Sequence, residues 1–136
     1  MIQRIQSLWL LLASACAFAS FKLPYYSGAK ENITADYRLL ATESFLLIIV
    51  TSIVATLALV IIFLYKNRTL QLRLSVLGIL MEAVIIFLYY LEIKKFTSGT
   101  YSLTAILHSI IVISFFLAAR AINKDDKMIE DSNRLR

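Results

Sequence analysis

The chain alternates long apolar runs with polar segments, and four of the runs are long enough to be membrane-spanning helices. They cover residues 5–23, 45–65, 74–93 and 101–119. A helix needs roughly 20 residues to cross a hydrocarbon core of about 30 Å. Helices also satisfy their own backbone hydrogen bonds, which an isolated strand in lipid does not. The pattern therefore predicts an all-α membrane protein, a four-transmembrane-helix antiparallel bundle.

The connections between the runs indicate how the helices pack. Residues 67–72 and 94–100 are short connections, so we expect helices two, three and four to be antiparallel neighbours. Residues 24–43 form the one sizeable connection, which begins at Pro24, because proline cannot prolong a helix without losing a backbone hydrogen bond. We expect this outer loop to cap the bundle or to extend helix two. Residues 1–136 are thus predicted to form a single membrane domain.

The C-terminal segment, residues 120–136, is polar but contains neither proline nor glycine. Glu130 and Arg134 have the spacing and order of a favourable ion pair on a helix surface. We predict that helix four continues through Asp126 at least and forms a cytoplasmic helical tail.

The first run has a second interpretation, a cleaved secretory signal peptide. Arg4 supplies a positive start, and Ala17-Phe18-Ala19 has the small-residue pattern of a cleavage site. The apolar stretch continues past this site through Phe21 and Leu23, which favours a retained helix.

Composition supports a membrane protein. The chain is 60% hydrophobic and 17% charged, whereas a soluble domain is about 45–50% apolar and about 25% charged. The net charge of +5 would suggest nucleic acid as a partner of a soluble protein. Here the basic residues flank apolar runs, so we expect membrane lipids and no nucleic acid as partners.

The distribution of lysine and arginine predicts the orientation, because basic residues are enriched on the cytoplasmic side. With the N-terminus inside, nine of the 14 basic residues are cytoplasmic and five are outside. Lys94 and Lys95 argue weakly against this orientation. Most tyrosines would then lie near the outer interface, as in an aromatic belt. We expect both termini to lie in the cytoplasm.

Glu82 is the residue of the third run whose placement in a membrane costs free energy. It follows Arg73 by nine positions and so lies about 13 Å deep. A carboxylate at the membrane centre costs about 2.5–3.5 kcal/mol on insertion scales, so it must be neutral, paired or wetted. One interpretation is a proton-relay or ion-binding group; the simpler one is a hydrogen bond between helices or to a partner subunit. We predict that Glu82 faces the bundle or a partner chain.

His108 is the only histidine, and it lies about 10 Å below the outer surface if Tyr101 marks that surface. Its depth differs from that of Glu82 by only about 7 Å in a core of about 30 Å. A contact between the two is therefore expected if the helix faces agree. A structural hydrogen bond and a relay both remain open for His108.

Small residues at four-residue spacing predict close helix packing, since small side chains let backbones approach in a membrane. We assign this role to Ala13 with Ala17 and to Ser52 with Thr56. We also assign it to Gly78, which shares a helix face with Ser75 and Glu82 and lets a neighbouring helix approach closely.

Enzyme signatures are missing from the sequence. It has no H-E-x-x-H, C-x-x-C, phosphate-binding loop or paired-carboxylate spacing. We therefore expect a non-enzymatic protein with no catalytic residues, cofactor or metal.

Both ends of the chain resemble a known family. The start, Met1-Ile2-Gln3-Arg4-Ile5-Gln6, and the end, Ser132-Asn133-Arg134-Leu135-Arg136, together with Arg120-Ala121-Ile122, are similar to the uncharacterised membrane proteins of domain-of-unknown-function family 4293, found in Bacteroidota. The resemblance implies four transmembrane helices over the whole chain and an inner-membrane address. It implies no activity, because none is assigned to the family.

The polar ends also have a physical interpretation. Residues on the cytoplasmic side would contact lipid headgroups or dock on a larger membrane machine: Gln3, Arg4, Arg120, Lys124, Arg134 and Arg136. Our leading hypothesis is an accessory or structural subunit of an inner-membrane complex, bound to other integral membrane subunits or to itself. The alternative is a small proton- or ion-coupled transporter that uses Glu82 and His108.

Overall fold

The computed structural model describes residues 2–30, 33–102 and 105–135, with side chains for 5–29, 37–102 and 105–135. These residues form four helices: α1 (Ile2–Ala19), α2 (Phe45–Phe63), α3 (Arg68–Ile93) and α4 (Ile106–Arg134). Both α1 and α3 pack against α2 and α4, so the helices form a closed ring. Arg68 contacts Asp125 and Glu82 contacts His108, so α3 and α4 are antiparallel.

The helix limits differ from the apolar runs at several ends. Helix α3 begins at Arg68, six residues before the predicted start, and α1 ends at Ala19, before the end of its apolar run. At that end the Ser20 hydroxyl donates to the carbonyl of Ala17, a local bond that competes with helix continuation. Helix α4 continues to Arg134, which confirms the predicted helical tail, and Arg134 pairs with Glu130 at 2.8 Å.

The prediction of a purely all-α fold is wrong, because the two connections at one end of the bundle form a small sheet. Its strands are β1 (Tyr26–Lys30), β2 (Ile33–Leu39) and β3 (Phe96–Tyr101). They are ordered β2-β1-β3, and both pairings are antiparallel. The connection of residues 24–43 is therefore a β-hairpin and not an extension of helix two.

Aromatic contacts and two glycines hold the sheet together. Tyr26 on β1 makes edge contacts with the rings of Phe96 and Tyr101 on β3. Gly28 and Gly99 face each other across the two strands, and a Cβ on Gly99 would lie 2.6 Å from the carbonyl oxygen of Ser27. Glycine at both positions therefore permits this close strand pairing.

Small residues line the interior of the bundle, but on α2 they are not all the predicted ones. Ala13 and Ala17 of α1 are buried, as expected for packing residues. On α2, Ser52 is half-buried, and Thr56 is exposed with its hydroxyl bonded to its own helix at Ser52. The buried face of α2 instead includes Thr51, Ala55 and Ala58. The two sets lie about 100° apart on a helix, and small residues occupy both, so spacing alone does not separate them.

Among the described residues, three helices are long and apolar enough to cross a membrane: α2, α3 and α4. The apolar part of α1, Ile5–Ala19, is shorter. Only 39% of the apolar window of α2 is buried, and less in α3 and α4. The exposed remainder includes Phe63 and Phe87, as expected of a surface that faces lipid.

Candidate functional site

The interior of the bundle contains a carboxyl–imidazole pair. Oε1 of Glu82 on α3 lies 2.5 Å from Nδ1 of His108 on α4. Glu82 is 0% exposed and His108 is 3% exposed, so both residues are buried inside the bundle. The sequence placed them at similar depths on neighbouring helices, and the structure brings them into direct contact.

Helix periodicity explains why Glu82 faces inward. Ser75, Gly78, Glu82, Ile85 and Tyr89 follow one another at three- and four-residue spacing, and all five are buried. They form the stripe of α3 that packs in the bundle. Gly78 lies on this stripe against the ring of Phe115 on α4. The absence of a side chain there lets the two helices approach closely near the pair.

Two tyrosine rings surround His108 on the side towards the sheet. Tyr25 stacks on Tyr89 with ring centroids 4.1 Å apart and an angle of 9° between the planes. Both rings contact the imidazole edge-on, with centroids at 5.3 Å from Tyr25 and 5.1 Å from Tyr89. Burial is the main cause that raises the pKa of the Tyr25 hydroxyl, with smaller contributions from Tyr101 and Glu82. The aromatic rings thus separate the pair from the end of the bundle that carries the sheet.

The sheet holds Tyr25 in this position. Its backbone N–H donates to the carbonyl of Leu39 at 2.8 Å, and its carbonyl accepts from Ser102 at 3.0 Å. Tyr25 is therefore tied to the ends of β2 and β3 at once. The connections outside the helices, which the sequence assigned to a loop, fix one wall of the buried site.

The chemistry of the pair follows from its burial. A neutral acid that donates to neutral imidazole and a carboxylate that accepts from imidazolium both leave the pair without net charge. A buried charge without a partner would cost several kcal/mol, so these neutral arrangements are favoured over a lone carboxylate. The contact requires a proton between Oε1 and Nδ1, carried by either the carboxyl or the imidazole.

Some polar atoms near the pair have no hydrogen-bond partner within the described part of the chain. They include Oε2 of Glu82 and the hydroxyl of Tyr89, both fully buried. Unsatisfied buried groups cost about 1–3 kcal/mol each and require an explanation in a native protein. A water or an ion would satisfy them. The contacts between the helices therefore leave hydrogen-bonding groups of the site without a partner among the described residues.

The other predicted site residues lie apart from the pair. Arg120 and Lys124 are exposed on the extension of α4, and Arg134 is exposed but paired with Glu130. The side chains of Gln3 and Arg4, and the whole of Arg136, lie outside the described residues. Among described residues, no group of three His, Cys, Asp or Glu side chains is arranged to hold a metal ion.

Sequence reasoning assigned the tyrosines to an interfacial belt and missed two that belong to the site. Tyr89 is fully buried. The sequence indicates this position, because Tyr89 follows Glu82 by seven residues and so lies on the same helix face. Tyr25 had no such signal. Its place depends on strand pairing between distant segments.

Helices with exposed apolar surfaces around a buried polar pair are typical of an integral membrane protein. The family described as Domain of unknown function (DUF4293) matches residues 2–135, and the chain belongs to this family. No curated protein matches the chain, and no solved structure matches it.

Proposed function

We propose that this chain is a non-enzymatic accessory or structural subunit of a larger bacterial inner-membrane complex. It would cross the membrane four times, with the termini in the cytoplasm and the sheet outside. The observation that carries the proposal is the direct Glu82–His108 contact. Two buried polar side chains are hydrogen-bonded to each other across α3 and α4, as expected of residues that hold two helices together.

The location of the Glu82–His108 contact favours a role in holding α3 and α4 together. It links α3 to α4 across 26 positions of sequence, beside the Gly78 face. In lipid, helices associate through packing and hydrogen bonds and not through exclusion of water. A buried carboxyl–imidazole bond therefore fixes both the register and the rotation of the two helices.

The extension of α4 supports the partner-binding part of the proposal. From Arg120 onward its described side chains are exposed, except for those of Ala121, Ile122 and Asp125. The extension carries four exposed basic side chains, those of Arg120, Lys124, Lys127 and Arg134. A polar helix that projects from a membrane bundle offers a docking surface to another subunit.

The orientation can be tested by cysteine labelling in intact cells. A Cys introduced at Ser27 should react with an impermeant thiol reagent, and a Cys at Ser132 should be protected until the cells are permeabilised. The buried Cys16 serves as the internal background in both variants. Reaction at Ser132 with protection at Ser27 would reverse the proposed topology.

The subunit role can be tested by purification in gentle detergent. We expect a second integral membrane protein to co-purify with the tagged chain. Substitution of Arg120, Lys124 and Arg134 by Gln should weaken its recovery, while the matched substitution of Lys22, Lys94 and Lys95 at the other end should not. Recovery of the chain alone, with full abundance and function of both variants, would contradict the subunit role.

A second function is favoured by the unsatisfied Oε2 of Glu82 and hydroxyl of Tyr89. Each of these atoms can form a further hydrogen bond, as the polar groups of a proton- or ion-coupled transporter need to do. Glu82→Gln and Glu82→Leu separate the two functions. A structural Glu82 tolerates Gln, which still forms hydrogen bonds, and fails with Leu, as judged by protein abundance and complex recovery. Loss of proton flux in Glu82→Gln with assembly intact would instead establish the transporter.

A further inference from the structure

At the end of the bundle opposite the sheet, the turn between α2 and α3 borders an open cleft of about 460 Å³. Its lining comes from that turn, from the first two turns of α3 and from one residue of α4. The lining residues are Lys66, Asn67, Arg68, Thr69, Leu70, Arg73 and Asp126. Three of these seven side chains are cationic and one is anionic, so the lining has a net charge of +2.

Two of the cations are available to a ligand. Within the described part of the chain, Lys66 and Arg73 are exposed and make no ion pair. Arg68 is used differently: its Nη1 lies 3.1 Å from Oδ2 of Asp125, and both side chains are largely buried. Lys66 and Arg73 are thus left as two unneutralised positive groups at one cleft.

The Arg68–Asp125 ion pair builds the wall of the cleft. It fastens the extension of α4 to the start of α3, and Nη1 of Arg68 also reaches the carbonyl of Asp125 at 3.4 Å. Asp126, the next residue, then lines the cleft. The cleft is therefore a product of tertiary packing between α3 and α4 and not a run of charges on one helix.

The cleft lies where a lipid headgroup would be. The apolar helix α2 ends at Phe63, three residues before Lys66, and Phe63 and Tyr65 are exposed beside it. Leu70, which lines the cleft itself, is 43% exposed. Basic pockets between helix ends at the membrane surface bind anionic headgroups, because positive charge and adjacent apolar surface match phosphate and acyl chain together.

We propose that this cleft is a binding site for an anionic phospholipid. Lys66 and Arg73 contact the phosphate, and the acyl chains lie along the exposed apolar side chains of α2 and α3. The proposal needs neither the subunit role nor the transporter role of the chain. The phosphate group is shared by lipid and by free inorganic phosphate, but free phosphate makes no use of the apolar border of the cleft.

The test compares lipids on the purified full-length chain in detergent. The thermal unfolding midpoint is followed while phosphatidylglycerol, phosphatidylcholine or inorganic phosphate is added. Phosphatidylglycerol should raise the midpoint at concentrations at which the other two do not, and added salt should weaken the effect. An equal rise with phosphatidylcholine would overturn the charge argument, and an equal rise with inorganic phosphate would overturn the lipid assignment.

Charge variants then locate the site. Lys66→Gln with Arg73→Gln should weaken the apparent affinity for phosphatidylglycerol about 25-fold, since each basic group near a lipid phosphate contributes about fivefold. The matched double variant Lys94→Gln with Lys95→Gln, at the other end of the bundle, should bind as the parent does. Full affinity in the first double variant would overturn the proposal.

A variant that raises the net charge of the cleft provides a second test if the double variant fails to fold. Asp126 is exposed and makes no ion pair among the described residues, so Asp126→Asn should fold normally. It raises the net charge of the lining and should strengthen phosphatidylglycerol binding severalfold. Weaker binding in this variant would contradict the assignment of the cleft.

Discussion

Gly78 on α3 lies directly beneath the ring of Phe115 on α4, so close that a Cβ on Gly78 would approach Cε1 of the ring to 2.7 Å. Phe115 is fully buried, and the Glu82–His108 contact lies one helical turn further along the same face. The position of the polar pair therefore depends on the close approach that these two residues permit.

Substitution of Gly78 by Ala should destabilise the bundle. The ring of Phe115 has to move from a packed site, and overpacking of this kind costs about 1–3 kcal/mol. Unfolding of the purified protein in detergent, followed by circular dichroism, measures the loss. Phe115→Leu added to Gly78→Ala should recover part of it by freeing space. Two effects that simply add would show that the residues do not compete for space.

The Glu82–His108 pair should behave as a coupled unit in a double-mutant cycle. His108→Leu leaves the Glu82 carboxyl buried without its partner, which costs about 3–5 kcal/mol in comparable buried pairs. The double variant Glu82→Leu with His108→Leu removes both polar groups and should be more stable than His108→Leu alone. The same unfolding assay gives the coupling energy. A double variant whose loss of stability equals the sum of the losses in Glu82→Leu and His108→Leu would show that the groups act independently.

The hydroxyl of Tyr89 should be dispensable for stability. It is buried without a hydrogen-bond partner among the described residues, so Tyr89→Phe removes an unsatisfied group and keeps the stack on Tyr25. We expect the stability of Tyr89→Phe to equal or exceed that of the parent, while Tyr89→Leu loses the stack and is destabilised. A loss of about 1 kcal/mol or more in Tyr89→Phe would show that the hydroxyl has a partner, such as an ordered water.

Tyr37 should titrate late and make the hairpin sensitive to high pH. A hydrogen bond to Glu43 is the main cause that raises the pKa of Tyr37 from 10.0 to about 12. Its folded pKa lies above the unfolded value, so the stabilisation is complete below pH 10 and is lost as the pH rises towards 12.

The difference between the ultraviolet titrations of the parent and of Tyr37→Phe isolates this tyrosine. Glu43→Gln should move its midpoint back towards the usual value. A parent midpoint already near that value would rule out the hydrogen bond to Glu43 in solution.

The sequence predicts the helices well because each is specified locally. Continuous apolar runs fix α2 and the central part of α3, and the Glu130–Arg134 spacing correctly indicates that α4 continues. Depth counting also brings Glu82 and His108 to one level, since both helices rise by a fixed amount per residue.

The sheet and the wall of the site were not predictable in the same way. Strands β1 and β3 are short, contain glycine and show no alternation of apolar and polar residues, so neither has a local signal. Their pairing joins Tyr26 to Tyr101, about half the chain apart. Tyr25 reaches His108 only because this long-range pairing has formed, and nothing near Tyr25 in sequence records it.

The pairing of β1 with β3 also constrains the path of the chain between them. The strand that precedes α2 and the strand that follows α3 are bonded edge to edge, so both lie on the same side of any membrane that the helices cross. The number of crossings made by α2 and α3 together must then be even. A chain in which one of these helices inserts and the other does not is unable to bring Gly28 opposite Gly99. The sheet can therefore close only when α2 and α3 both cross a membrane or neither does.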